Sequence, residues 1–182
     1  HLSRTEDAIE AAGVPRPVGF RASTFTLTRR TWWAFDVLAE RGYLYDSSVH
    51  PVRHPTYGVP DFDPGISTVE TGSGSIVEFP VTTLPLGSKN VPIGGGGYFR
   101  LFPGPLHRAA ISRVTRMGRP VAIYLHPWEF DPDQPRIPAP AFKKFRHYVG
   151  LSKSLDRLDA LVRRWPFGTM REVLEGEGAL SL

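Results

Sequence analysis

Residues 121–129, VAIYLHPWE, constrain the fold more than any other stretch of the chain. The run is apolar and β-branched up to Tyr124, with Gly118 and Pro120 before it and Pro127 within it. Such a run, punctuated by Gly and Pro, predicts a strand buried on both faces. Pro127 has no N–H to give a ladder, so the strand is expected to stop at His126. The imidazole then stands at the C-terminal mouth of a central strand, where α/β folds gather ligands and catalytic groups. A hydrogen-bonded core histidine is the alternative that this run alone leaves open.

The surrounding chain predicts an α/β fold. Residues 18–21 read as a short strand and residues 28–40 as a helix with a broad apolar face. Residues 43–45 make the next strand, completing a β-α-β unit with short links and hence parallel strands. Thr5 is placed to cap a helix over 5–12, ended by Gly13, and residues 105–117 form a helix stopped by Gly118. Residues 51–75, rich in Pro, Gly, Asp and His, predict a long loop or one carrying minor strands. Residues 77–84 read as extended, bent by Pro80. A helix is expected from Ser152 or Ser154 to Trp165, then a short strand and a helical turn over 167–174. With 182 residues and no linker or repeat, residues 1–182 are expected to form a single domain. Eighteen glycines and eighteen prolines suit a loop-rich α/β enzyme better than a bundle.

Charge and cysteine content exclude several classes. The net charge of +4 is scattered rather than blocked, which reads as solvated surface and not as a nucleic-acid footprint. There is no cysteine, so disulfides and thiolate metal sites are excluded. No window is long and apolar enough to span a bilayer, and nothing in the sequence assigns a compartment.

Three polar residues, Arg21, Asp46 and His126, each follow an apolar segment and precede a loop. If the strands run parallel, all three project from one rim. A carboxylate beside an imidazole fixes its tautomer and raises its pKa, and a guanidinium there can orient a second carboxylate or neutralise an oxyanion. An Asp46 turn cap and an Arg21 surface ion pair are the structural alternatives.

In order, GFRA (19–22), YDSS (45–48) and LHPWE (125–129) resemble the third, fourth and fifth motifs of the NodB-type polysaccharide deacetylases, carbohydrate esterase family four. The strings GGGGYFRLFP (94–103), YLHPWEFDPDQPR (124–136) and FRHY (145–148) are similar to the exosortase- and exopolysaccharide-associated branch, over residues 4–174. The resemblance implies a distorted (β/α) barrel with its site at the C-terminal ends of the strands. It implies hydrolysis of N-acetyl groups from amino sugars of a polysaccharide, with a divalent metal, zinc in many members. By position, His126 would protonate the leaving amine, Asp46 would pair with His126, and Arg21 would hold the base aspartate. The backbone N–H of Thr24 would supply the oxyanion hole.

Two departures matter. Ser23 stands where the third motif carries a proline, removing a rigid turn. The family's first motif, an aspartate pair, and its second, a His-x-x-x-His metal pair, are absent, and both would precede residue 1. The chain therefore reads as the C-terminal portion of the catalytic domain, its N-terminal strands missing. It is expected to carry the acid and the scaffold but neither metal nor base. Exposed strand edges in such a fragment would favour self-association. The rival reading is a non-catalytic carbohydrate-binding or structural remnant of such a domain. A hydrolase using His126 with Glu129 is a further rival, but neither a cysteine nor a GxSxG nucleophile is present.

His50 and His54 have metal-pair spacing, but Pro51 and Pro55 oppose the helix that would align them, so no metal site is expected in this chain. His107 and His147 are expected on helix surfaces. The glycines at 94–97 are expected in a flexible loop lining a sugar groove. Phe25, Tyr98 and Trp128 are candidates to stack on sugar rings, with core or rim packing as the alternative.

Overall fold

A computed structural model describes residues 2–180. Helix α1 (Leu2–Ala11) starts before Thr5, which therefore lies inside the helix rather than capping it. The buried Glu6 accepts from Arg16 and Arg41, tying α1 to the end of α2 (Ala34–Glu40). The segment expected as one helix over 28–40 divides into a 3-10 turn, Arg29–Thr31, and α2. The Thr28 N–H donates to Thr31 Oγ1 at 2.8 Å, closing the first turn on itself.

Strands β1 (Gly19–Phe20) and β2 (Tyr45–Asp46) are parallel, as the β-α-β pattern predicts. The region expected as loop with minor strands contributes β3 (Ser67–Thr71), which forms a hairpin with β4 (Gly74–Glu78). β4 lies parallel to β2, giving the order β1-β2-β4-β3. Beyond Pro80, β5 (Thr83–Leu86) pairs antiparallel with β6 (Lys89–Pro92) in a separate two-stranded sheet. Helix α2 packs Phe35 and Leu38 against Val69 and Ile76 of the larger sheet.

Helices α3 (Gly96–Leu101), α4 (Gly104–Arg116) and α6 (Ser154–Val162) bury Phe99, Ile111, Val114 and Leu161 in a second cluster with Leu84 and Ile93. Each of these side chains contributes about 1.5–3 kcal/mol on burial. Helix α5 (Ala141–Tyr148) precedes α6. Residues 167–174 form no strand. Thr169 instead caps α7 (Met170–Gly176), accepting from Glu172 N–H at 3.2 Å while its own N–H donates to the Glu172 carboxylate at 2.7 Å.

The central segment departs from expectation. Residues 121–125 form no ladder strand, and one parallel bridge joins Tyr124 to Gly95. Of residues 121–126 only Ala122 is buried. The reason is one-sided pairing. The N–H groups of Ala122, Tyr124 and His126 donate to Thr82 Oγ1, Gly94 O and Glu129 Oε2. The intervening N–H groups of Ile123 and Leu125 have no partner among the described residues. The fold is thus mixed α/β with parallel and antiparallel pairing, and its described strands do not close into a barrel.

Candidate functional site

The 121–125 segment still delivers His126 to a cleft of about 800 Å³. Pro127 opens a 3-10 turn, Pro127–Phe130, and the chain folds back so that Glu129 Oε2 accepts from the His126 N–H at 2.8 Å. The other carboxylate oxygen accepts from Arg100 Nε at 3.0 Å, and both side chains are 2% exposed. Arg100 also donates to the carbonyls of His147 (2.6 Å) and Val149 (3.0 Å), and lies 5.0 Å from the Trp128 ring. One buried ion pair therefore joins α3, the histidine turn and the end of α5. Gly96 permits it, because a Cβ there would occupy the place of the Glu129 carboxylate.

Contacting rings line the cleft. His54 stacks on Tyr57 at 3.7 Å, and both Tyr57 and His50 meet Phe25. Phe25 meets Tyr124 at 5.1 Å, and Tyr124 meets His126 at 4.6 Å. His126 lies parallel to Trp128 at 6.1 Å, and Trp128 stacks on His147 at 4.5 Å. The capping box of the turn sets the Glu129 N–H against the His126 ring, and no side chain among the described residues hydrogen-bonds to that ring. Tyr98, on the first turn of α3, lines the same cleft. The structure therefore brings together Phe25, Tyr98, His126 and Trp128.

Arg21 reaches the same rim. Its Nε and a terminal nitrogen donate to Ser47 O and Ser47 Oγ at 2.9 and 2.7 Å, and its guanidinium stands 5.2 Å from the Tyr124 ring. Thr24 and Phe25 both have positive φ, 53° and 54°. Left-handed backbone costs a non-glycine residue about 1–2 kcal/mol, so this loop is held in place by its surroundings. The Thr24 N–H has no partner among the described residues, and the residue is exposed.

Asp46 is not joined to His126. It is fully buried at the end of β2, accepting from Ser48 N–H at 2.8 Å and Ser48 Oγ at 2.7 Å. Its neighbour is Glu78, its register partner on β4, whose Oε1 accepts from Val49 N–H. Burial pushes both carboxyls above their ordinary pKa, Glu78 far above because the Asp46 charge adds to burial. Burial and the neighbouring Asp46 charge thus favour the protonated form of Glu78.

Several site residues were not chosen from the sequence. His50 is 4% exposed, both its ring nitrogens lack partners among the described residues, and burial pushes its pKa down to about 4. Its His-x-x-x-His spacing drew attention for a different chemistry. His147, expected on a surface, is half-buried against Trp128 and reaches Gln134 Oε1 at 2.8 Å. His107, also expected there, is buried with Nε2 2.8 Å from Ile93 O, because the face of α4 that carries it packs on Phe99. Gly95, Gly96 and Gly97 line the cleft, but the run is not a loose loop: Gly94 packs against the Ala122 carbonyl and Thr82, Gly95 bridges to Tyr124 and Gly96 opens α3.

No three His, Asp or Glu side chains come together to hold a metal ion among the described residues. Glu129 is occupied by Arg100, and His50 has no carboxylate beside it, so these residues do not fit the divalent ion that the deacetylase resemblance implies. No described helix is long and apolar enough to cross a membrane.

Neither a curated protein nor a solved structure matches the chain. One family model does, over residues 47–175, a span that contains His50, Tyr98, Arg100, His126, Trp128 and Glu129 but begins after Arg21, Thr24 and Asp46. By that match the chain belongs to the DUF3473 family, a domain of unknown function.

Proposed function

We propose that the cleft binds a polysaccharide and that, in the intact protein, His126 serves the hydrolysis of N-acetyl groups from its amino sugars. The observation that carries this reading is the placement of His126 at the cleft between the Tyr124 and Trp128 rings, with no acidic side chain bonded to its imidazole among the described residues. Aromatic faces suit the apolar faces of sugar rings, and an imidazole between them can protonate a leaving amine. The Thr24 N–H, without a partner among the described residues, suits an oxyanion, and the left-handed backbone of Thr24 and Phe25 marks this loop as a strained feature of the kind found at functional sites. DUF3473 domains occur in polysaccharide deacetylase-associated proteins, which supports the same reading. On this reading the open sheet is part of a distorted (β/α) barrel. The described residues offer no ligand set for zinc or another divalent ion, so only the acid side of the reaction belongs to them.

A second reading, carbohydrate binding without catalysis, is favoured by one observation: Asp46 is turned to Ser48 and Glu78 rather than to His126. Acetate release from N-acetylated oligosaccharides separates the two. The protein extended through its upstream reading frame is expected to release acetate, and His126→Ala to abolish release while saccharide binding persists. Binding without release in the extended protein supports the second reading. Absence of both sinks the proposal.

A further inference from the structure

We infer that the saccharide taken by this cleft is anionic, a glycan bearing carboxylate or sulfate groups; the inference rests on reading the cleft as a glycan site. Helix α5 forms one wall and buries none of its residues. Phe142 and Phe145 line the cleft while 69% and 55% exposed. Lys143 and Arg146, one turn apart, line it with them, and neither has an acidic partner among the described residues. Arg146 lies close enough to Tyr57 for its charge to oppose the burial that raises the Tyr57 hydroxyl.

The carboxylates nearby are withdrawn. Glu129 lines the cleft but is held by Arg100 and the His126 N–H, and Asp46 and Glu78 are fully buried behind the rim. Among the described residues, a ligand entering here meets two cations without an acidic partner, Arg146 resting near the Phe142 ring, and no free carboxylate. A neutral glycan would strip water from those cations and give nothing back. A glycan with an acidic group would pair with them through charge-assisted hydrogen bonds, while the phenyl rings cover its sugar faces. A basic, aromatic helix with no buried residue also suits a membrane surface. Here, however, the phenyl rings line a concavity shared with Tyr57 and Tyr98, which a flat bilayer does not enter.

Calorimetric titration with an oligoglucuronate, a sulfated oligosaccharide and a neutral chito-oligosaccharide of equal length tests the inference. It is run on wild type and on Lys143→Ala/Arg146→Ala, whose two positions are exposed and whose folding is checked by circular dichroism. The anionic oligosaccharides are expected to bind at least about tenfold more tightly than the neutral one. That ratio should shrink toward one in the double variant, and should fall between about 50 and about 200 mM salt. The two anionic arms tell carboxylate from sulfate. Equal affinity for neutral and anionic chains, or a ratio unchanged in the variant, overturns the inference and leaves the glycan site standing. No saccharide binding at all removes both. Binding to phosphatidylglycerol vesicles that the variant loses, with no saccharide binding, reassigns α5 to a membrane surface.

Discussion

Replacing Arg100 by methionine is the sharpest perturbation of the site that replaces none of its cleft rings. The side chain is buried and holds Glu129 at 3.0 Å and the carbonyls of His147 and Val149 at 2.6 and 3.0 Å. Breaking a buried pair from one side leaves an uncompensated charge and costs about 3–5 kcal/mol. Each orphaned carbonyl adds about 1 kcal/mol, and loss of the guanidinium near Trp128 adds about 0.5–1 kcal/mol. Together these come to about 5.5–8 kcal/mol, comparable with the whole stability of a domain this size. Arg100→Met is therefore expected to be largely unfolded. Arg100→Met/Glu129→Leu removes both charges and should recover about 2–4 kcal/mol relative to the single variant. Urea unfolding followed by tryptophan fluorescence measures both through the shift in midpoint at constant slope. A loss below about 1 kcal/mol in Arg100→Met, or a double variant no better than the single, would refute the claim that this pair organises the histidine turn.

Two further perturbations test the buried ionisable groups. Burial holds the folded His50 near pKa 4, below its ordinary 6.5, so the folded state takes up the proton less readily. Stability is then intact above pH 6.5 and falls as pH drops toward 4, by on the order of 3 kcal/mol. His50→Leu should remove that slope and stabilise the protein at pH 7, since neither ring nitrogen has a partner to lose. Urea midpoints at two pH values decide it, and an unchanged slope counts against the assignment. Glu78 lies on the opposite side of the sign rule. Its raised folded pKa means stability is greatest below its ordinary value of 4.5 and is lost as pH climbs through the folded value. Glu78→Gln mimics the protonated form and keeps the acceptor for Val49 N–H, so it should exceed wild type in stability at neutral pH and converge with it near pH 4. Parallel pH profiles for the two proteins contradict a raised Glu78 pKa.

What was legible in the sequence was local. The β-α-β unit follows from periodicity and punctuation over about thirty residues, and the structure pairs β1 with β2 in parallel. Strand ends and chain order place Arg21, Asp46 and His126 at one rim; in the structure Arg21 and His126 both meet the Tyr124 ring, while Asp46 is buried against Ser48. What was not legible depends on partners distant in sequence. Arg100 and Glu129 are 29 residues apart, and no helical or strand spacing pairs them. The β5–β6 hairpin was hidden because Pro85 and Pro92 sit in its strands, where proline ordinarily argues against one. His107 was placed at a surface from its charged neighbours, yet its own helical face turns inward onto Ile93 and Phe99. The 121–125 run has the composition of a strand buried on both faces, but composition does not say whether both edges find a neighbour. Asp46 satisfies the strand-end pattern while its carboxylate turns away from His126, a side-chain choice made by Ser48.

The one-sided pairing of the 121–126 segment should leave a mark on amide exchange. The amides of Ala122, Tyr124 and His126 are bonded, whereas those of Ile123 and Leu125 between them have no partner among the described residues. Deuterium uptake along this segment should therefore alternate, slow and fast at successive residues, instead of rising smoothly toward an end as in a fraying strand. The alternation is also a sensor. Any strand that docks on the open side, from a second copy or from another polypeptide, would slow Ile123 and Leu125 and leave their neighbours unchanged.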